Sequence, residues 1–455
     1  MLRTARAYAL LILTLLLPGC FLAPHYKRPS VETPPAFKES APPVGESTST
    51  WKVAVPGDHL PRGPWWRMFG DPQLNALEQK VLGSNQNIKQ AEAQFRQARA
   101  IVKETQSAYF PTVTTNPSAT RSYSPNLNVH GNLSSGGAST VNLFDLPVEA
   151  AWEPDFWGAV TFAVRTAKAE AQASAALLEN MRLSMQAELA ADYFALEELD
   201  METALLNSAV DSYQKALQLT LVRFNGGVAS NADVAQARAQ LEMTRSLVID
   251  LGISRAQNEH AIAVLIGQSP STFSLPASAI HSLPPPIPVG LPSELLQRRP
   301  DIANAERLIV AANGQIGLAR AAYFPAISLT AAGGYESNAF SQWFSWPNRF
   351  WSIGASAAET LLDFGRRRAV SQQAQAQYDA QVAGYRQTVL GAYEEVEDSL
   401  SALRILAQEA AQTDAAARAA DESLRLEIDR YKAGIVSYLD IITTQNIALT
   451  NERSA

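Results

Sequence analysis

No proline occurs between Trp157 and Ile266, and from about Val160 to Phe224 the residues form one unbroken run rich in Ala, Gln and Leu. Proline removes a backbone donor and breaks a helix from inside. A proline-free, alanine-rich run therefore leaves one very long helix as the local solution. Roughly 65 residues at 1.5 Å each make about 100 Å. Apolar residues recur at gaps of three and four, at Leu206, Val210, Tyr213, Leu217, Leu221 and Phe224, which is a coiled-coil-like seam. The run is interrupted at RFNGGVASNA (223 to 232), and the helical pattern resumes from Asp233 to about Ile266. The same construction returns as RYKAGIVSYLDII (430 to 442), with Gly227 matched to Gly434 and Asp233 to Asp440 at an offset of 207 residues. A turn at the end of so long a helix is a tip, and the chain has two.

The rest of the chain repeats with them. Asn87-Ile88 and Ala91-Glu92 match Asp301-Ile302 and Ala305-Glu306 at an offset of 214, as Tyr109-Phe110-Pro111 matches Tyr323-Phe324-Pro325. Gly158 matches Gly365 at 207. The offset falls because the second hairpin loop, near Asn338 to Asn348, is shorter, and loops tolerate such differences. The chain thus divides into a first repeat at 65–267, a Pro/Ser-rich linker at 268–291 and a second repeat at 292–455. The first repeat holds a β-hairpin near 109–156 and a tip at 223–233. The second holds a hairpin near 323–363 and a tip at 430–440. Only fifteen residues follow Asp440, against about 33 of helix after Asp233, so the second return helix reads as truncated.

In each hairpin the period changes to two. Phe144, Leu146, Val148, Ala150 and Trp152 share one face, while Asp145, Glu149 and Glu153 share the other. At the 207 offset the apolar set corresponds to Trp351, Ile353, Ala355 and Ala357, opposite Ser352, Gly354, Ser356, Ala358 and Thr360. One apolar and one wettable face suits a strand between lipid and water; a soluble hairpin packed on a core gives the same pattern. Two hairpins give four strands, too few to close a barrel. An open edge in lipid would leave backbone groups unpaired, so closure in lipid calls for several chains, and three copies supply about twelve strands.

The N-terminus reads MLRTARAYALLILTLLLPGC: two arginines, a short apolar stretch from Ala9 to Leu17, then Cys20, the one cysteine in the chain. That is the layout of a secretory signal at 1–19. It resembles a bacterial lipoprotein box, although Pro18 stands where a small residue is usual. With a plain signal peptide the cysteine would be incidental. The resemblance implies lipidation at Cys20, and Phe21, in place of the aspartate that retains lipoproteins in the inner membrane, favours the outer membrane. Residues 20–64 are Pro/Ser-rich extended chain or linker. The folded part begins at WWRMFGDPQLNAL (65 to 77), where Asp71-Pro72 starts a helix to about Leu82 and a second runs from about Asn87 to Ala108.

The formal charge of −7 becomes −9 (−7 − 2) once Arg3 and Arg6 leave with the signal. That balance argues against nucleic acid. No HExxH, phosphate loop or nucleophile–base motif is present, so the reading is of a non-enzyme that needs no cofactor or metal.

Taken together, the lipobox cysteine, WWRMFGDPQLNAL, LLQRRPDIANAE (295 to 306), AYFPAISLTAAGG (322 to 334), LLDFGRRRA (361 to 369) and the two tips resemble the TolC-like outer membrane factors, in their NodT/OprM-like lipoprotein branch. The resemblance implies a mainly α fold with a small membrane β part. It implies a long α-helical coiled-coil barrel with four transmembrane β-strands per chain, a two-fold internal repeat and a homotrimer seated in outer-membrane lipid. The implied function is a passive exit duct for drugs or other small molecules, coupled to an RND-type inner-membrane pump through a periplasmic adaptor. Alternatives are the duct of a type I protein secretion system or a non-channel periplasmic coiled-coil or adaptor protein.

By the same resemblance the adaptor docks at Gly226, Gly227, Val228 and Ala229 and at Gly434, Ile435 and Val436. Asp440 lies on an acidic ring at the periplasmic gate, with Thr443 in place of a second acid. Asp233 and Tyr431 lie where the two coiled coils are linked by a hydrogen bond. An arginine link expected two residues after Gly434 is absent, since Val436 stands there. Simpler roles exist: Asp233 and Asp440 as helix N-caps, the glycines as plain turn residues, and Arg298-Arg299-Pro300-Asp301 as a helix start with structural ion pairs. Trp65 and Trp66 read as anchors of the N-terminal segment, and Arg366-Arg367-Arg368 as a cluster near the membrane boundary.

Overall fold

The computed structural model describes residues 25–39, 63–124, 139–278, 285 and 292–455. The expected signal segment and Cys20 lie outside the described residues, as do the first hairpin loop and half of the linker. The elements in order are α1 (Pro72–Ser84), α2 (Gln86–Ser107), β1 (Thr112–Thr115), β2 (Ser118–Ser124), β3 (Ser139–Trp152), α3 (Ala159–Asn225), α4 (Asn231–Leu265), α5 (Pro292–Arg298), α6 (Pro300–Ala321), β4 (Ala326–Ser337), β5 (Arg349–Ala358), α7 (Arg366–Lys432) and α8 (Tyr438–Ser454). Both α3 and α7 have 67 residues. The chain separates into two compact units, and neither coincides with one half of the sequence: each gathers segments from both.

The first unit comprises Met1–Ser30, described from His25, with Gln94–Ala175 and Asn304–Gln387. Its strands form one antiparallel sheet in which β1 and β2 both pair with β3, β3 pairs with β4, and β4 with β5. The first arm of the hairpin expected near 109–156 is split into two strands, β1 and β2. Thr115 pairs with Val148 and Ser118 with Asp145, so the break lies opposite Leu146 and Pro147. Pro147 falls opposite Asn116 and Pro117 opposite Leu146, so each of the two adjacent rows lacks one N–H and the ladder is interrupted there. On the other side of β3, Gly334 faces Pro147 so closely that a Cβ would meet the Leu146 carbonyl.

The register arranges the faces row by row. Val148, Gly333 and Trp351 lie side by side, then Ala150, Ala331 and Ile353, then Trp152, Leu329 and Ala355. Directly paired residues point to one side, so these rows form an apolar face on which Trp351 and Ile353 are each 79% exposed. Between them run Glu149, Ala332 and Ser352, and Ala151, Thr330 and Gly354, on the wettable face. The outer sides of β1/β2 and β5 pair with no strand among the described residues.

Aromatic side chains gather where strands hand over to helices. Trp152 donates to the Tyr109 carbonyl at 3.1 Å and Trp157 to the Pro325 carbonyl at 2.7 Å, with Trp157 stacked on Phe324 at 4.9 Å. The Asp155 carboxylate accepts from the Val160 and Thr161 amides and so opens α3. Below this, α3 and α6 approach closely because α6 carries two glycines. A Cβ on Gly317 would come within 2.6 Å of the Phe162 ring, and one on Gly314 would strike Thr166. Gly317→Val is expected to destabilise the protein by about 1–3 kcal/mol through overpacking, read as a lower denaturation midpoint; an unchanged midpoint would show that the contact does not constrain the helices.

The second unit comprises Val31–Ala93, Ala176–Ala303 and Thr388–Ala455. Asp71 caps α1 by accepting from the Gln73 and Leu74 amides, and the buried Tyr193 hydroxyl donates to both Asp71 and Glu197. Trp66 is buried and donates to Asn75. Arg299 forks between Asp301 and Glu395, each at 2.6 Å. The described end of the N-terminal segment is held along α7: the Lys38 and Glu39 amides donate to the Glu397 carboxylate, and Glu39 pairs with Arg404 at 2.6 Å.

In α1 the Glu78 side chain is fully buried and neither carboxylate oxygen has a hydrogen-bond partner among the described residues. Burial disfavours the charged form and raises its pKa from 4.5 to about 8. A raised carboxyl contributes stability below its unfolded pKa and loses it as pH rises through the folded value. The stability difference between wild type and Glu78→Gln should therefore move in favour of the variant by up to about 1.4 kcal/mol per pH unit, between roughly pH 5 and 8. Parallel melting curves of the two proteins across that range would refute this.

Candidate functional site at the paired helix tips

Both long helices end in the same way, and the glycines are the reason. Gly227 and Gly434 each take φ of 76°, the left-handed region that other residues avoid. Around Gly227 the Val228 amide donates to the Arg223 carbonyl and the Gly227 amide to the Phe224 carbonyl, both at 2.9 Å. Around Gly434 the Ile435 amide donates to the Arg430 carbonyl at 3.0 Å and the Gly434 amide to the Tyr431 carbonyl at 2.9 Å. These are Schellman closures, which satisfy the last carbonyls of a helix. At the two apices Val228 and Ile435 stand 70% and 68% exposed. Gly226 and both left-handed glycines are exposed, Ala229 is half-buried, and Val436 packs on the cluster beneath.

The return helices start with serine. Ser230 is the N-cap of α4: its hydroxyl accepts from the Asp233 amide at 3.2 Å, while the Asp233 carboxylate accepts from the Ser230 amide at 2.8 Å. At α8 the Asp440 carboxylate accepts from the Ser437 hydroxyl at 2.7 Å and from the Ser437 amide at 3.0 Å. Neither aspartate is the N-cap itself. Each sits three residues on, in a capping box, where its charge also faces the positive end of the helix dipole. The Ser437 bonds hold the exposed Asp440 carboxyl below its ordinary pKa. Thr443 is exposed and donates to the Leu439 carbonyl.

Under the apices lies a core of Tyr213, Leu217, Val234, Ala237, Leu241, Tyr431, Tyr438 and Ile441, with Val210 and Leu221 against it. Most of the apolar seam read along α3 is therefore used here; Phe224 is 40% exposed. The rings of Tyr431 and Tyr438 meet edge to face at 5.6 Å. The Tyr431 hydroxyl is buried with no hydrogen-bond partner among the described residues, and the Asp233 carboxylate is occupied by its own helix start.

The link that does join the two tips comes from a residue that sequence reasoning passed over. Arg223 donates to the Tyr431 carbonyl at 2.8 Å, and its guanidinium lies 4.4 Å from the centre of the Tyr431 ring. A signal was available: Arg223 stands four residues before Gly227, as Arg430 stands four before Gly434. Cations in a last turn complement the helix dipole, and that role is enough to hide a second one. Arg430 has a different fate, pairing with Glu427 at 2.9 Å. No reactive constellation meets here. The arrangement offers two exposed apolar apices on rigid turns, a clamped helix pair beneath them, and an exposed carboxylate at Asp440.

Known proteins resemble this chain over most of its length. A family model described as outer membrane efflux protein matches residues 77–268 and 291–454. The toluene efflux pump outer membrane protein TtgF of Pseudomonas putida is 30% identical over 449 residues, covering 96% of this chain and 90% of the relative. The cation efflux system protein CusC of Escherichia coli is 27% identical over 437 residues, covering 95% and 90%. Among solved structures, the outer-membrane channel OprN superposes with a TM-score of 0.84 at 28% identity, covering 95% of this chain and 94% of that one.

Proposed function

Since the chain belongs to the outer membrane efflux protein family, we propose that it is the outer-membrane exit duct of a tripartite efflux assembly. It passes small molecules passively from an RND-type inner-membrane pump, through a periplasmic adaptor, across the outer membrane. The observation that carries this reading is the sheet: one apolar face, one wettable face and two unpaired outer sides. Such edges are untenable in lipid, and closure by two further copies makes a homotrimer with about twelve strand rows. The matched glycine turns at 207 residues' separation express an internal repeat. Lipid at Cys20 anchors the N-terminus.

The adaptor docks on the exposed apices at Val228 and Ile435, with Gly226, Gly227, Ala229, Gly434 and Val436 shaping the turns. The gate lies just behind them. Three Asp440 carboxylates form its acidic ring, Thr443 follows them on the same helix, and Tyr431 with Asp233 joins neighbouring coiled coils when the trimer is closed. The relatives' names span toluene and a cation, so the cargo is set by the pump and not by the shared wall.

The test is planar-bilayer recording of the purified protein beside Asp440→Ala. Wild type should conduct with a cation preference, and the variant should lose several-fold of it, because three like charges near an axis raise the local cation concentration. A protein that never conducts overturns the duct; an unchanged preference in the variant overturns the acidic ring.

A further inference from the structure

In the first unit a cavity of about 310 Å³ opens between α3, α6 and the start of the described N-terminal segment. Its wall holds Arg165, Lys168 and Gln172 from one face of α3, Asn313 from α6, and His25, with the Phe162 ring among them. No carboxylate lines it among the described residues. Glu306, one turn before Val310, is turned onto Tyr26 and Arg28. Arg165 lies 5.7 Å from the Phe162 ring centre, and neither it nor Lys168 forms an ion pair among the described residues. Two exposed cations with amide side chains beside them and no counter-charge are a site for an anion.

Its place along the chain says which anion. Arg165 is six residues into α3, about 9 Å from the helix start, and α3 begins directly beyond the cluster of Tyr109, Trp152, Trp157 and Phe324. Indole and phenol rings collect where hydrocarbon meets headgroups, at the end of the apolar band of a membrane strand. The headgroup region beside that belt is about 5–8 Å deep, and long cationic side chains one or two helical turns beyond it extend back to the lipid phosphates. His25 is also only five residues from Cys20, a tether of at most about 17 Å. We propose that this cavity binds the phosphate of an anionic phospholipid in the periplasmic leaflet of the outer membrane. Arg165 and Lys168 supply the charge, Gln172 and Asn313 the hydrogen bonds. The inference rests on the membrane seating proposed above.

The test uses the full-length protein reconstituted in vesicles of phosphatidylethanolamine with phosphatidylglycerol, floated, extracted in mild detergent and examined by native mass spectrometry for retained lipid. Wild type should keep phosphatidylglycerol in preference to phosphatidylethanolamine. Arg165→Gln/Lys168→Gln should lower that retention on the order of 25-fold, about fivefold for each cation. Lys89→Gln/Arg96→Gln, which removes two exposed cations from α2, should leave it unchanged, and Arg165→Lys/Lys168→Arg should restore most of it. Equal retention of both lipids, or equal loss in the two double glutamine variants, overturns the site. Binding of inorganic phosphate by the detergent-solubilised protein, lost in Arg165→Gln/Lys168→Gln and without any lipid preference, assigns the cavity to free phosphate and overturns the lipid reading. Wild type that fails to float with vesicles overturns the membrane seating as well, whereas protein that floats without headgroup preference overturns this inference alone.

Discussion

Replacing Arg223 with alanine is expected to raise the resting conductance of the reconstituted channel about ten- to a hundredfold. The guanidinium makes a charge-assisted bond to the Tyr431 carbonyl and lies over the ring of the same residue. Hydrogen bonds to charged groups contribute about 1.5–3 kcal/mol, and about 1.4 kcal/mol is tenfold in an equilibrium. That carbonyl also closes the second turn by accepting from the Gly434 amide. Removing Arg223 therefore frees the first tip from the second while leaving the buried cluster below intact. Arg430→Ala is the matched control, since its partner Glu427 is one turn back on its own helix, and such pairs contribute only about 0.3–0.5 kcal/mol. Single-channel recording of the two variants decides the matter. Equal resting conductance in Arg223→Ala and wild type removes Arg223 from the proposed gate.

Ile353→Arg is expected to block membrane insertion, and Ser352→Arg is expected to be tolerated. The two residues are neighbours in β5 and point to opposite faces. Ile353 lies mid-strand in the row with Ala150 and Ala331, and it is largely exposed within the single chain. Arginine on the lipid face of a strand costs about 2–4 kcal/mol at the bilayer midplane, whereas a face toward the lumen is wet. The measurement is the inserted fraction of each variant after folding into vesicles, resolved by flotation and protease protection. If Ser352→Arg is the variant that fails, the faces are reversed. If both insert, the sheet is not in lipid.

The two-residue period of β3 and the 207-residue offset together placed Val148 and Ala150 on the same side as Trp351 and Ile353, and the strand register sets them there. That much was legible because alternation is a property of each strand separately. The break of the first strand was not. It depends on Pro117 and Pro147 falling in adjacent rows of one ladder, and Pro147 looks harmless until its neighbours across the sheet are known. The simpler role open to Asp233 and Asp440, that of N-cap, belongs to Ser230 and Ser437 three residues earlier, and the aspartates complete the capping boxes. The serines and aspartates are equally good caps by type, so only geometry distinguishes them.

By itself, the sequence determined the places where the backbone must turn and the lengths of helix between them. A missing proline, a left-handed glycine and an apolar period act within a few residues of themselves, and their effects survive in any fold. The tertiary structure alone decided which groups answer one another: Arg223 with the Tyr431 carbonyl, Glu78 with no partner, Arg165 and Lys168 around one cavity. Those pairings join residues far apart in the chain. No local rule orders them, because a charged or polar side chain is compatible with water until packing takes the water away.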